Sequence, residues 1–275
     1  DINKKKILGS CKKFWVQISF VNVDCHQFKK YANFWYNEYA FARLFVEDIF
    51  VNFDKILYLD CDIVVDGNLV PLMDIDVSLY SAWVVSCEFL ISDTELNWIY
   101  KHIGVWNPFF GSWVMLINLN WRRNNHVLKK SQDFLDIHWW KLRFMDQDIL
   151  NNLLHGSVLF LPPKYNSTGT LLYSHFYEEM VFSRNDYLEA KKTPVIVHFA
   201  WWSRPWTWDC FNKWNKIWWK YQKQTLYSWW KVPAKYFFKL KRYKFLLWHF
   251  MSNIIALFWY KFYCFCIGFW RKYII

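Results

Sequence analysis

The stretch ILYLDCDIVVDGNLVPL, Ile56 to Leu72, decides how the chain is read. It opens on a continuous apolar run, Ile56-Leu57-Tyr58-Leu59, as a strand covered on both faces does. Asp66-Gly67-Asn68 then supplies turn chemistry. Between run and turn stand two carboxylates, Asp60 and Asp62. Residues i and i+2 of a strand point to the same side, so this pair can grip one hard divalent cation, and that cation can neutralise a diphosphate. A bare D-x-D is short, however, and acids also decorate strand ends or cap the turn that follows.

At 275 residues the chain suits one large α/β domain with an appendage, or two small domains. Hydrophobic residues make up 55% and aromatics 23%, while glycine numbers only 7, about a third of the usual share. The formal net charge of +11 favours anionic partners such as nucleic acid, acidic lipid headgroups or phosphorylated substrates. The charge is concentrated toward an apolar tail and no nucleic-acid motif is present, which argues against nucleic acid. Seven cysteines, at 11, 25, 61, 87, 210, 264 and 266, include no C-x-x-C pair. They read as reduced thiols in a cytoplasmic setting, without a disulfide frame or a zinc site. The start, Asp1 to Lys6, has neither an initiator Met nor an apolar signal region and reads as a chain already under way.

Phe14 to Val23 alternates as a strand does, and Phe41 to Val51 carries a helical apolar face (Phe41, Leu44, Phe45, Ile49, Phe50) leading into the acidic strand, with Arg43 on that helix. Further buried strands are expected at Trp83 to Cys87, closing at Glu88, at Val114 to Leu119, and at Val195 to Val197, which presents His198. Asp133 to Leu142 reads as a helix, and Asp146-Gln147-Asp148 heads another, where acids also serve as ordinary caps. Beyond Trp206 the composition becomes aromatic and basic, and Phe245 to Trp270 holds Lys261 as its one charged residue. Lysine and arginine rimming a Trp-, Tyr- and Phe-rich body fit a helical segment lying on an anionic membrane surface. A membrane span is the second reading and an amphipathic core helix the third. The division expected is residues 1–230 as the main domain and 231–275 as the membrane-associating tail.

D-x-D after an apolar strand also occurs in hydrolases that form an aspartyl-phosphate, but there the strand tends to open the domain. Here FARLFVEDIFVNFDKILYLDCDIVVDGNLVPLMDIDV resembles the family 8 glycosyltransferases, in particular the bacterial lipopolysaccharide galactosyl- and glucosyltransferases. Later stretches follow in the family's order: WNPFFGSWVMLINLNWRR (106–123), DQDILN (146–151), LFLPPKYNST (159–168) and PVIVHFAWWSRPW (194–206). Together the resemblance covers roughly residues 14 to 215.

The resemblance implies an α/β fold of the GT-A type, a mixed central sheet flanked by helices. It implies retaining transfer of a hexose, galactose or glucose, from a UDP-sugar to a saccharide acceptor of lipopolysaccharide or lipooligosaccharide. Manganese would be held by Asp60, Asp62 and His198, the nucleotide sugar by Arg43 and the diphosphate by Arg204, which stands in the family's lysine position. Asp146 would fix the donor sugar's hydroxyls, Gln147 would lie beside the anomeric carbon, and Glu88 would sit on the acceptor side. A metal and a guanidinium at a departing diphosphate stabilise the charge that accumulates there. The implied location is cytoplasmic, peripheral on the inner face of the membrane.

The chain also departs from the family pattern. Gly111 stands where the family has asparagine, Trp113 and Trp201 stand where it has glycine, and nothing before Phe14 resembles its opening strand. Glycine at the Trp201 position lets backbone approach the phosphates, so an inactive fragment or degenerate copy is the competing expectation. A membrane-surface binding protein without catalysis is the other.

Overall fold

The computed structural model describes residues 2–32, 38–87, 104, 108–169, 171, 181–200, 204–207, 210 and 212–228. Glu88, Trp201 and the segment 231–275, with its domain boundary, lie outside these described residues. Among the described residues two small sheets form the centre. In the first, β1 (Lys55–Leu59), β4 (Phe110–Asn118), β3 (Ala82–Ser86) and β5 (Val158–Phe160) run in the order β1-β4-β3-β5. β4 is antiparallel to both neighbours, and β3 and β5 are parallel. In the second, β2 (Ile63–Val65) pairs antiparallel with β7 (Ile196–His198), which pairs parallel with β6 (Ser167–Thr168). The expected sheet is therefore mixed, but it is not single.

The apolar runs form strands because both faces are covered. On β4, Met115 and Ile117 enter one hydrophobic core, with Phe28, Phe41, Leu44 and Leu150, while Val114 and Leu116 enter a second, with Leu72, Tyr165 and Ile196. On β1, Ile56 and Tyr58 pack on the first core and Leu57 and Leu59 on the second. Alternate residues of a strand face opposite ways, so continuous apolar sequence is what two cores demand.

The chain changes sheets between Leu59 and Ile63. Asp60 N–H still donates to Trp113 C=O (3.0 Å) at the end of the β1–β4 ladder, and Asp62 C=O already accepts from Phe199 N–H (2.9 Å) beyond β7. The D-x-D motif is thus the junction of the two sheets. Gly67 makes the next turn possible: its N–H and that of Asp66 both donate to Val195 C=O, and a Cβ at Gly67 would meet Val195 at 3.0–3.2 Å.

Among the described residues the α-helices are α1 (Ile2–Lys12), α2 (Val46–Ile49), α3 (Val70–Met73), α4 (Leu119–Asn124), α5 (Val127–His138), α6 (Asp146–Leu153), α7 (Arg184–Lys192) and α8 (Asn215–Gln222). The expected helix over Phe41–Val51 is a 3-10 segment, Glu38–Phe45, running into α2. The helix expected at Asp133 starts earlier and closes as a 3-10 turn, Trp139–Lys141. Phe14–Val23 does not form a strand: residues 16–25 have no regular structure, and Phe14, Trp15, Val16 and Val21 are exposed. Alternation supplies a face but not a ladder partner, and backbone donors without one stay with water.

Two polar ties matter for the site. Arg122, wholly buried on α4, donates through Nε to Glu47 Oε2 (2.6 Å) and through Nη2 to Leu44 C=O (3.3 Å), while Glu47 Oε1 accepts from Leu128 N–H (2.7 Å). Burial pulls the Arg122 guanidinium below its ordinary value against the opposing charge of Glu47. On α8, Lys220 Nζ and Tyr221 Oη both donate to Asp66 Oδ1 at 2.7 Å, anchoring the helix to the turn after β2. Among the described residues no helix is long and apolar enough to cross a membrane.

Candidate active site

The sheet junction carries the first cluster. Asp60, Asp62 and His198 offer ligand atoms that all lie within 4.8 Å of one another. Strand β2 brings this about: Ile63 is paired with His198, so the residue before β2 meets the end of β7. His198 Nε2 lies 3.1 Å from Asp62 Oδ1, and Nδ1 lies 3.0 Å from Asn166 Oδ1. Burial raises the Asp62 carboxyl, but the hydrogen bond and charge of His198, its own backbone and Arg204 outweigh it, and the group settles below its ordinary value. Two hard oxygens and one imidazole make a donor set that suits manganese or another first-row divalent ion.

Arg43 joins this cluster to a second. Its Nη2 lies 3.0 Å from Asp60 Oδ1 and its Nε 3.1 Å from Asp146 Oδ2, while Nη1 donates to both Ser112 C=O and Ser112 Oγ at 2.7 Å. Ser112 Oγ in turn donates to Asp146 Oδ2 (2.8 Å), and Tyr58 Oη donates to Asp60 Oδ1 (3.0 Å). The Arg43 guanidinium carbon also sits 5.0 Å from the Tyr58 ring centre, a cation–π contact. Burial works against the charge on Arg43, yet Asp146, Tyr58, Asp60 and Asp62 more than offset it and hold the guanidinium above its ordinary value. Asp60 and Asp146 behave oppositely to Asp62: burial raises both carboxyls and Arg43 only partly offsets it.

Helix α6 delivers Asp146 and Gln147, and its entry is strained. Met145 has φ +49°, a region L-residues rarely occupy outside functional sites. The turn is held by Asp148 Oδ2, which accepts from Arg143 N–H (2.7 Å) and Phe144 N–H (2.8 Å). Asn151 locks the helix to β4 by exchanging two hydrogen bonds with the Phe110 backbone, at 2.9 and 2.8 Å. Gln147 is buried, with Oε1 3.4 Å from Ser112 N–H and Nε2 4.0 Å from Cys87 Sγ.

A bulge in β4 sets Ser112 and Trp113 into this arrangement. Val84 pairs with Met115 but Val85 pairs with Gly111, leaving Ser112, Trp113 and Val114 without β3 partners. Bulges re-aim side chains in this way beside functional sites. The Trp113 indole folds back over Gly111, where an added Cβ would lie 2.4 Å from its Cε3, and meets His198 edge-on with ring centres 5.3 Å apart. Gly111 and Trp113 therefore fit one another: the missing side chain at one makes the space the indole fills.

Of the residues expected at the site, the structure brings Arg43, Asp60, Asp62, Asp146, Gln147 and His198 together. Arg204 is exposed, and its charge reaches Asp62 and Cys61. The chain matches the model of glycosyl transferase family 8 over residues 2–210. The chain belongs to glycosyl transferase family 8. This family 8 chain is 25% identical over 242 residues to general stress protein A of Bacillus subtilis, covering 78% of itself and 80% of that protein. It is 26% identical over 220 residues to the lipopolysaccharide 1,3-galactosyltransferase of Salmonella typhimurium, covering 76% of itself and 62% of that protein. It spans 57% of a putative glycosyltransferase of Haemophilus influenzae. Its fold is similar to that of galactosyltransferase LgtC, solved with donor and acceptor sugar analogues, at TM-score 0.65 and 24% identity over 81% of this chain and 79% of that one. An active-site glutamine-to-glutamate mutant of LgtC gives TM-score 0.66 at 23% identity, with the same coverage. The family match begins at residue 2, ahead of Phe14, where the motif resemblance starts.

Ser112, Tyr58, Asn151 and Asn166 escaped the sequence reading as site residues. All four lie inside quoted motifs, but serine, tyrosine and asparagine carry no charge signature, and only the fold shows what they touch.

Proposed function

We propose that this family 8 glycosyltransferase transfers a hexose, galactose or glucose, from a UDP-sugar to a saccharide acceptor of lipopolysaccharide type, with retention and with manganese. The observation that supports this reading is the joined cluster: three metal-type ligands at one end, a buried carboxylate and glutamine at the other, and Arg43 bridging them. Asp60, Asp62 and His198 are the residues to hold the ion, which supplies a Lewis acid against the charge of the diphosphate. Arg204, exposed and with its charge reaching Asp62, adds a positive group for the same charge. Arg43 and Ser112 keep Asp146 oriented, so its carboxylate meets sugar hydroxyls without first paying the cost of ordering. Gln147, fixed between Ser112 and Cys87, is the polar group set beside the anomeric centre. The basic aromatic segment 231–275 completes the proposal by holding the chain on the inner, anionic face of a membrane, close to a lipid-linked acceptor.

Calorimetry with manganese and UDP tests the site, and incubation with UDP-galactose or UDP-glucose tests the reaction. Nucleotide binding should require the metal and should be lost in Asp62→Asn. Metal-independent UDP binding, or binding unchanged in Asp62→Asn, sinks the metal assignment. Manganese-dependent UDP binding without hydrolysis or transfer favours the inactive copy.

A further inference from the structure

His198 is 1% exposed and Asn166 7% exposed, so neither side chain can exchange its partner freely for water. Asn166 Oδ1 lies 3.0 Å from Nδ1 of the imidazole, and an amide oxygen only accepts, so this contact requires the ring proton on Nδ1. A neutral imidazole has one N–H. Its other nitrogen, Nε2, faces Asp62 Oδ1, 3.1 Å away, a gap that one positive centre can serve, either the proton of the hydrogen bond described above or a divalent cation in its place.

We propose that Asn166 is a positioning residue that fixes His198 as the Nδ1–H tautomer and so reserves Nε2 for a divalent cation shared with Asp60 and Asp62. The inference rests on the manganese reading above. Metal-bound histidines nearly always donate their second N–H to an oxygen of this kind, which sets ring orientation as well as tautomer.

The fold holds Asn166 for this contact. The 3-10 turn Pro163–Tyr165 precedes it, its own N–H donates to Pro163 C=O (3.0 Å), and Val195 N–H donates to Lys164 C=O (2.9 Å). Strand β6 then runs parallel to β7 with Ser167 beside Val197 and Thr168 beside His198. The side chain therefore projects from a segment fastened on both sides to the strand that carries the imidazole.

The test titrates Mn2+ into the full chain with UDP present and counts free ion by electron paramagnetic resonance. Asn166→Leu keeps the volume but removes the acceptor, and should weaken Mn2+ by about 10–100-fold. Asn166→Asp restores an acceptor and should hold affinity near wild type. In a His198→Ala background, Asn166→Leu should cost nothing further, because its effect runs through the imidazole. Thermal unfolding monitors integrity, and Asn166→Ala carries the same comparison if the leucine variant does not fold. Wild-type affinity in Asn166→Leu, failure of Asn166→Asp to rescue, or an equal loss without His198 each overturns the inference while leaving the metal reading intact. Wild-type protein that binds no Mn2+ removes both.

Discussion

Replacing Gly111 with alanine adds one methyl group to a strand buried on both faces. That Cβ would lie 2.4, 2.6 and 2.9 Å from Cε3, Cζ3 and Cδ2 of Trp113, whereas carbon atoms rest at about 3.5–4.0 Å. The indole must therefore retreat by roughly 1 Å. It has little room to do so, because it packs against both hydrophobic cores and edge-on to His198. Overpacking of this kind costs about 1–3 kcal/mol, and the retreat also presses on a metal-type ligand. We expect urea unfolding of Gly111→Ala to show that loss and Mn2+ affinity to fall with it. In Gly111→Ala/Trp113→Gly the steric part should vanish, so the two substitutions should be strongly non-additive. A Gly111→Ala protein within about 0.5 kcal/mol of wild type, or additive behaviour in the double variant, would refute the compensation.

Arg122→Met should destabilise the protein by about 3–5 kcal/mol, since it strands Glu47 without its partner, and Arg122→Met/Glu47→Leu should recover much of that loss in the same denaturant titration. Arg43→Lys should weaken metal-dependent UDP binding by about 10–100-fold, because an ammonium cannot span Asp60, Asp146 and Ser112 as a planar guanidinium does; calorimetric affinity equal to wild type would count against the bridging role. Burial raises the Asp66 carboxyl, but hydrogen bonds from Lys220 and Tyr221 outweigh it and hold the group below its ordinary value. Its stabilising contribution is therefore present above the unfolded value, about 3.9, and disappears as pH falls through the lower folded value. The stability difference between wild type and Asp66→Asn should accordingly exist at neutral pH and close in acid, and a difference independent of pH would contradict it.

The parts of the fold that could be read in advance are those where chemistry repeats along the chain. The runs at Ile56–Leu59, Trp83–Cys87 and Val195–Val197 were legible because two cores require continuous apolar strands. Phe14–Val23 misled for the same reason in reverse: its alternation is real, but pairing depends on a neighbour that local sequence does not encode. The split into two sheets was hidden because it turns on which strand Ile63–Val65 joins. At the site, the charged residues and His198 could be picked out singly, and Gln147 by its motif. The use of one arginine to connect Asp60 with Asp146 could not, since those residues are separated in sequence and meet only through Arg43, beside Ser112 at the β4 bulge. Gly111 and Trp113 read from the sequence as two separate departures, and only the fold shows the indole occupying the space that the glycine leaves.

The buried pair of Arg122 and Glu47 has an evolutionary consequence. Loss of either member leaves a charge enclosed in apolar surroundings, whereas exchange of both for hydrophobic residues is tolerable. Single-step mutational paths through these positions thus cross a stability valley, and the two sites should be inherited as a unit, changing together or not at all. Leu44, whose carbonyl Arg122 holds, is the residue next to Arg43. The placement of the bridging arginine is in this way tied to a pair outside its own cluster, and descendants that abandon the pair should also be those in which position 43 has drifted.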